Sequence, residues 1–102
     1  MDVVNPATGK KVRQYPEHKP AEIPAMVEAV HDAQQKWRRV SFKERAGKML
    51  KAAEVLKKNA KNYARLMAEE MGKPVKQGAA EAEKCAWVCE YYAEHAEKFL
   101  AP

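Results

Sequence analysis

The residues whose type and spacing best suit a covalent reaction are two cysteines, Cys85 and Cys89. A cysteine nucleophile needs a base beside it and a lowered pKa, conditions found at helix N-termini or next to cationic groups. Both cysteines instead fall in the middle of a helical pattern, around the apolar residues 86–88. We therefore interpret them as small core or partly buried residues. Four residues apart on a helix, their Cβ atoms lie about 5–6 Å apart, too far for a disulfide, so both are predicted to be reduced.

Metal-ligating residues are present but do not form a ligand set. A zinc site needs four ligands, and the Cys-x3-Cys pair has no second pair to complete it. Glu28 and His31 make one Glu-x-x-His step of the kind used in di-iron bundles, but such sites need two steps and further carboxylates. His18 and His95 lie elsewhere in the sequence. A solvated helix surface explains Glu28 and His31 better, and no metal ligand is predicted.

The glycines do not form a phosphate-binding loop. The chain has four, Gly9, Gly47, Gly72 and Gly78, and no two of them fit the G-x-G-x-x-G or P-loop spacing. The Gly-Lys pair in "EMGKP" lacks the upstream loop glycine, so we interpret it as a helix end followed by a new start. The sequence therefore predicts no catalytic, cofactor-binding or metal-binding residue in this chain.

Composition and charge fit one soluble domain. The 102 residues are 46% apolar and 32% charged, with a net charge of +5. A basic stripe could attract nucleic acid, but acidic residues share the surface and no helix-turn-helix or RNA-binding motif is present, so nucleic-acid binding is not favoured. No apolar run approaches the ~20 residues that span a bilayer, and no signal peptide is recognised. The absence of a membrane span and of a signal peptide predicts a cytoplasmic protein. The basic stripe discussed above consists of Lys43, Lys51, Lys58 and Arg65.

The first element is predicted to be a β-hairpin over residues 2–15. Val3, Val4 and Val12, with Tyr15, provide β-branched and aromatic residues on both sides of "NPATG". Pro6 suits the second position of a turn, and Gly9 can adopt the positive φ that returns the chain. Because an isolated hairpin is marginal in water, this one must pack on other elements.

Helices are predicted over about 22–39, 41–58, 60–71 and 74–100, so the fold class is mainly α, with a hairpin followed by three to four helices. The first helix should begin near Ile23 or Pro24, which avoids a proline one turn inside it. Ser41 and Glu44 form a capping-box pattern. Asn59 and Asn62 predict a break or kink near residues 58–62, between the second and third helices. Apolar stripes run along each helix, and three favourable i,i+4 ion pairs are expected: Glu44–Lys48, Glu54–Lys58 and Glu94–Lys98. The stripe of the last helix comprises Val75, Ala79, Ala82, Ala86, Cys89, Ala93, Ala96 and Phe99.

Four stretches in order resemble the aldehyde dehydrogenase superfamily. "VNPATG" resembles its N-terminal hairpin, "FKERAGKMLKAAEVL" an intervening helix, and "EEMGKP" the helix-end motif some sixty residues after the hairpin. "EKCAWVCEYYAEHAEKFLAP" is similar to the following helix in the succinate-semialdehyde dehydrogenase branch. The resemblance covers nearly the whole chain. It implies that residues 1–102 are an N-terminal fragment of the α/β cofactor-binding domain, lying against a Rossmann-like sheet that this chain does not contain.

The resemblance also implies an activity for the full-length enzyme, which is oxidation of an aldehyde to an acid with NAD or NADP. In the family a cysteine attacks the aldehyde, hydride passes to nicotinamide, and a glutamate-activated water hydrolyses the thioester while an asparagine binds the oxyanion. All these residues come after the matched segment, and Cys85 and Cys89 match helix positions. The isolated chain is therefore expected to be inactive and to bind no cofactor.

The missing sheet predicts exposed apolar helix faces, and these should cluster or pair between chains, giving a homo-oligomer or other self-association. One alternative is a stand-alone helical protein-interaction or oligomerisation module without enzymatic activity. A second is the basic nucleic-acid binder, whose affinity would depend strongly on salt.

Overall fold

The computed structural model describes all residues, 1–102, and shows a two-stranded hairpin followed by four helices. The strands are β1 (Asp2–Val4) and β2 (Lys11–Gln14). After a single 3-10 turn (Pro20–Glu22), the chain forms α1 (Ile23–Trp37), α2 (Phe42–Lys58), α3 (Ala60–Met71) and α4 (Val75–Phe99). The predicted fold class is confirmed. No helix is both long enough and apolar enough to cross a bilayer.

The hairpin is antiparallel and carries an irregularity next to its turn. Val3 pairs with Arg13 and Val4 with Lys11, so the register shifts between Val3 and Val4. Within the turn, the Asn5 side-chain oxygen accepts a hydrogen bond from the Ala7 N–H at 2.9 Å. Gly9 has a φ of 67°, which is the left-handed conformation that glycine adopts at least cost. The turn chemistry of "NPATG" therefore closes the hairpin.

Helix starts and ends follow the local sequence. Pro24 is the second residue of α1, where its missing N–H has no helical partner to lose. The Ser41 hydroxyl accepts a hydrogen bond from the Glu44 N–H at 3.2 Å. The Glu44 carboxylate does not return the bond and lies 3.8 Å from Lys48 Nζ, so only half of the capping box forms. Asn59 separates α2 from α3, and its side-chain amide donates to the Val55 carbonyl at 2.9 Å.

The core is a seam of small residues between α2, α3 and α4, and we call it the alanine seam. Its members are the six buried residues of the chain: Ala53, Ala60, Ala64, Gly78, Ala82 and Ala86. A Cβ placed on Gly78 would come within 2.9 Å of Ala64 Cα, so α3 and α4 meet almost backbone to backbone. No large side chain is fully buried. The apolar stripe predicted for α4 is therefore wrong at its ends, since Val75 and Phe99 are 57% and 55% exposed.

The molecule is extended, and α1 packs mainly against the 3-10 turn that precedes it. The Cα radius of gyration is 17.8 Å, against about 13 Å for a compact domain of this length. No residue of α1 is buried. Four of its apolar side chains, Ile23, Met26, Val27 and Val30, are between 44% and 69% exposed. The prediction of uncovered apolar helix faces therefore agrees with the structure.

Ion pairs run along the helices and also join separate elements. Of the three predicted i,i+4 pairs only Glu44–Lys48 forms, and the two expected at Glu54–Lys58 and Glu94–Lys98 do not. Instead Lys57 pairs with Glu90 across α2 and α4. Lys73, in the α3–α4 connection, pairs with Glu81 of α4. The contacts between helices could not be predicted from spacing along one helix.

Candidate functional site at the junction of the hairpin and helix α3

Four side chains join the hairpin to α3, and we call them the hairpin clamp: Arg13, Tyr15, Glu69 and Glu70. Arg13 Nη1 donates to Glu70 Oε1 at 2.5 Å and to the Tyr15 hydroxyl at 3.2 Å. The Tyr15 hydroxyl in turn donates to the same Glu70 oxygen at 2.7 Å. Arg13 Nη2 lies 3.7 Å from Glu69 Oε2. The Glu70 carboxylate thus accepts one hydrogen bond from a charged guanidinium and one from a neutral phenol, both at the end of β2.

The clamp keeps Arg13 ionised. Its hydrogen bonds to Tyr15 and Glu70 raise the pKa of Arg13 above its ordinary value. A raised pKa in the folded state adds stability below the ordinary pKa, and this is lost only as pH rises through the folded value. The charge of Arg13 therefore does not change across the neutral pH range. Because Arg13 and Glu70 are both in contact with water, solvent screens the pair and its contribution to folding is small.

The turn of the hairpin also touches α3, at the helix end. Gly72 follows the last residue of α3 with a φ of 74°, and the Lys73 N–H donates to the Met67 carbonyl at 3.3 Å, as in a Schellman motif. A Cβ on Gly72 would come within 2.9 Å of Pro6 Cγ. The "NPATG" turn therefore lies on the "EMGKP" helix end, although the two stretches are far apart in the sequence.

This junction can position a segment of chain but offers no reacting group. The Glu70 carboxylate is already paired with a guanidinium and a phenol. Glu69 is held by Arg65 at 2.7 Å. Carboxylates whose oxygens already accept these hydrogen bonds are not free to accept a proton from a substrate. The clamp therefore acts through geometry, by fixing how the hairpin lies against α3.

The two cysteines lie together on the outer face of α4, away from the clamp. Both are free thiols, with Cys85 exposed and Cys89 partly covered. The interpretation as core or partly buried residues holds for Cys89 and is wrong for Cys85. Lys84, Glu81 and Val88 border the same shallow depression. No histidine lines it, so the arrangement does not provide the cysteine–histidine pair typical of an activated thiol.

The candidate metal ligands are not gathered. Glu28 and His31 both lie on the exposed helix α1. His18 lies before the 3-10 turn, 3.8 Å from Glu22. His95 lies on α4 and contacts the rings of Tyr91 and Phe99. The structure contains no group of three or more histidine, cysteine or carboxylate side chains that could hold an ion.

A groove of about 650 Å³ lies between the start of α2 and the end of α4, and we call it the α2–α4 groove. Most of its lining is apolar, with charged residues on both sides. Sequence reasoning missed this groove, because it forms where two stripes from distant helices diverge. The lining residues are Trp37, Phe42, Lys43, Arg45, Ala46, Met49, Tyr92, Ala93, Glu94, Ala96, Glu97 and Leu100.

A comparison with known protein families identifies the family to which this chain belongs. The sequence model of the aldehyde dehydrogenase family matches residues 1–101. The chain belongs to the aldehyde dehydrogenase family. The hairpin, the clamp and the three packed helices are therefore features of an aldehyde dehydrogenase chain.

Two similar proteins in this family are named for succinate semialdehyde. A probable succinate-semialdehyde dehydrogenase (NADP+) of Synechocystis sp. is 39% identical over 98 residues, which is 96% of this chain and 22% of that protein. The succinate-semialdehyde dehydrogenase (NADP+) of Deinococcus radiodurans is 36% identical over 99 residues, or 97% of this chain and 21% of that protein. This chain spans about a fifth of the length of these curated relatives.

A solved structure has the same arrangement of elements. The succinic semialdehyde dehydrogenase of Streptococcus pyogenes, in complex with NADP+, superposes with a TM-score of 0.89 at 26% identity. The match covers 97% of this chain and 22% of that protein. The same extended arrangement therefore occurs in that enzyme as part of a much longer chain.

Proposed function

We propose that this chain is the N-terminal portion of an NADP-dependent succinate-semialdehyde dehydrogenase. The observation that carries the proposal is the superposition with the Streptococcus pyogenes enzyme, at a TM-score of 0.89 over 97% of the chain. Relatives named for the same substrate and cofactor support it. The full-length enzyme would convert succinate semialdehyde, water and NADP+ into succinate, NADPH and protons.

The contribution of residues 1–102 to that enzyme is structural. We propose that the segment belongs to the cofactor-binding domain and supplies no catalytic, cofactor-binding or metal-binding residue. The paired carboxylates of the clamp and the absence of a histidine or carboxylate hydrogen-bonded to either thiol support this. Its role is to fix the hairpin on α3 and to present apolar helix faces to the rest of the enzyme in the cytoplasm.

A chimaera tests the proposal. Residues 1–101 of this chain would replace the matching segment of the Streptococcus pyogenes enzyme, and NADP+-dependent oxidation of succinate semialdehyde would be followed. We expect a soluble chimaera with activity within about tenfold of the parent, since the proposal places every reacting group in the parent's part of the chimaera. An insoluble or inactive chimaera contradicts the proposal, provided that a control chimaera built with the Deinococcus radiodurans segment is active.

Outside the full-length enzyme, we propose that the chain self-associates through its exposed apolar faces. Trp87, Tyr92 and Phe99 of α4 are each at least half exposed, and large exposed apolar side chains concentrated on one element are typical of a contact region. Light scattering coupled to size-exclusion chromatography measures the mass. A monomer at high concentration that does not bind apolar dyes contradicts this part of the proposal.

The second candidate function is a stand-alone helical interaction module, and the observation that favours it is the uncovered helix α1. A pull-down compares the two functions. Capture of the rest of a succinate-semialdehyde dehydrogenase, expressed without its matching N-terminal segment, supports the enzyme portion. Capture of unrelated proteins with equal efficiency supports the module.

A further inference from the structure

The two thiols of this chain, on Cys85 and Cys89, lie in one surface depression on α4. Both are free, with Cys85 exposed and Cys89 partly covered. Glu81 and Lys84 border the same depression. The proposed dehydrogenase function gives neither thiol a role. Two sulfur donors that share one surface can act together on one ligand.

The spacing of the thiols prevents a bond between them but suits a bridging atom. On a helix, residues four apart hold their Cβ atoms about 5–6 Å apart, whereas a disulfide needs about 3.8 Å. A metal ion bound to two thiolates at about 2.3 Å each separates the sulfurs by at most twice that distance. Each sulfur lies one bond beyond its Cβ, so rotation about the Cα–Cβ bonds brings the sulfurs to this separation without a change in the helix.

The part of α4 that carries the thiols is held in place by the alanine seam. Ala82 and Ala86 are 3% and 0% exposed, and they lie in the same two turns of the helix as Cys85 and Cys89. Because the backbone is fixed before a ligand binds, little conformational freedom is lost when the second sulfur joins the first. The chain therefore presents a preformed pair of sulfur ligands.

The charges around the depression favour a monovalent cation. Two thiolates and one monovalent cation carry one negative charge in total. Glu81 is already paired with Lys73, whereas Lys84 pairs with no carboxylate, so its ammonium group can offset that charge. A structural Zn²⁺ needs four ligands, and no group of three or more suitable side chains is present. The site therefore suits an ion that is satisfied by two ligands.

We infer that Cys85 and Cys89 form a two-coordinate site for a soft monovalent cation, of which Cu(I) is the biological example. Thiolates are the donors that select Cu(I), and Cu(I) accepts linear coordination by two of them. On binding, each thiol releases its proton to solvent while two Cu–S bonds form, and no electron is transferred. The inference goes beyond the proposed function. The absence of metal-binding residues proposed there refers to the enzyme reaction, in which this site takes no part.

Competition for Cu(I) tests the inference on the 102-residue chain. Under anaerobic conditions the reduced chain is added to the coloured complex of Cu(I) with the chelator bicinchoninate, and the loss of colour measures the copper transferred. We expect one Cu(I) per chain and an ultraviolet absorption band from sulfur-to-copper charge transfer. Cys85→Ser and Cys89→Ser should each lose at least about a hundredfold in affinity, because the remaining thiol lacks the high effective concentration of the second.

A variant with one thiol displaced is the matched control. Cys89→Ser combined with Trp87→Cys retains two thiols, but residues two apart on a helix point about 200° away from each other. Trp87 is 58% exposed, so its replacement leaves the seam intact, and circular dichroism checks the helix content. This variant should bind Cu(I) as weakly as the single serine variants do.

Three results overturn the inference. Equal affinity in the wild-type chain and the single serine variants shows that the two thiols do not act together. Wild-type affinity in the displaced-thiol variant shows that their spacing on α4 is irrelevant. Fewer than one Cu(I) per chain at saturation shows a site shared between copies. None of these measurements depends on dehydrogenase activity, which the chimaera tests separately.

Discussion

The alanine seam and the outer elements of this chain are held by different forces. In the seam, α3 and α4 approach so closely that Gly78 has no room for a Cβ beside Ala64. The hairpin is instead fixed by one charged cluster and one turn contact, and α1 buries no residue. The seam resists any added volume, whereas the outer elements depend on a few polar atoms. The difference shows that close packing in the seam sets the shape of this chain. Most of its large apolar side chains stay exposed and are available for contacts outside it.

The largest effect is expected from adding volume to the seam. Ala64 is 0% exposed, so Ala64→Leu should lower the free energy of unfolding by about 2–3 kcal/mol through overpacking between α3 and α4. Ala52→Leu on the exposed side of α2 is the control and should change it by less than about 0.5 kcal/mol. Urea denaturation followed by circular dichroism measures both. Equal effects would show that the seam is not tightly packed.

A pair of glycine substitutions sharpens the comparison at the level of one methyl group. Gly78→Ala places a Cβ 2.9 Å from Ala64 Cα and should lower the free energy of unfolding by about 1–2 kcal/mol. Gly47→Ala, in α2, has nothing within 4 Å of the new Cβ and should raise it by roughly 0.5–1 kcal/mol. Both are helical glycines, so propensity alone predicts the same sign. Stabilisation by both would contradict the close approach of α3 and α4.

The smallest effect is expected at the clamp, and it should be local. Glu70→Gln removes the charge that holds Arg13, and because the pair is screened by water the urea midpoint of global unfolding should hardly move. Amide hydrogen exchange should rise in β1 and β2 and stay unchanged in the seam. Glu69→Gln should raise exchange in the strands less, because its carboxylate lies 3.7 Å from Arg13, against 2.5 Å for Glu70. Faster exchange throughout the chain in Glu70→Gln would mean that the clamp supports the whole fold.

The fold could be predicted where local chemistry decides it. Gly9 and Pro6 predicted the hairpin turn, Asn59 the break, and Gly72 with Pro74 the end of α3 and the start of α4. Burial was predicted less well, since periodicity shows which residues share a face but not whether a partner covers that face. Val75 and Phe99 continue the stripe of α4 beyond the reach of α2 and α3, and they are exposed.

The candidate sites could not be predicted because they depend on contacts between distant elements. Arg13 and Glu70 are 57 residues apart, and neither has a distinctive local pattern. The α2–α4 groove forms where two helices distant in sequence diverge, which the periodicity of either helix alone does not show. Sequence reasoning identified the family resemblance, but it did not identify these contacts.

The central claim is that this chain supplies scaffold to a dehydrogenase and no chemistry of its own. The most direct measurement is NADPH formation by the purified 102-residue chain given succinate semialdehyde and NADP+. The account predicts none above the rate without protein. Turnover that disappears when Cys85 or Cys89 is replaced by serine would contradict it.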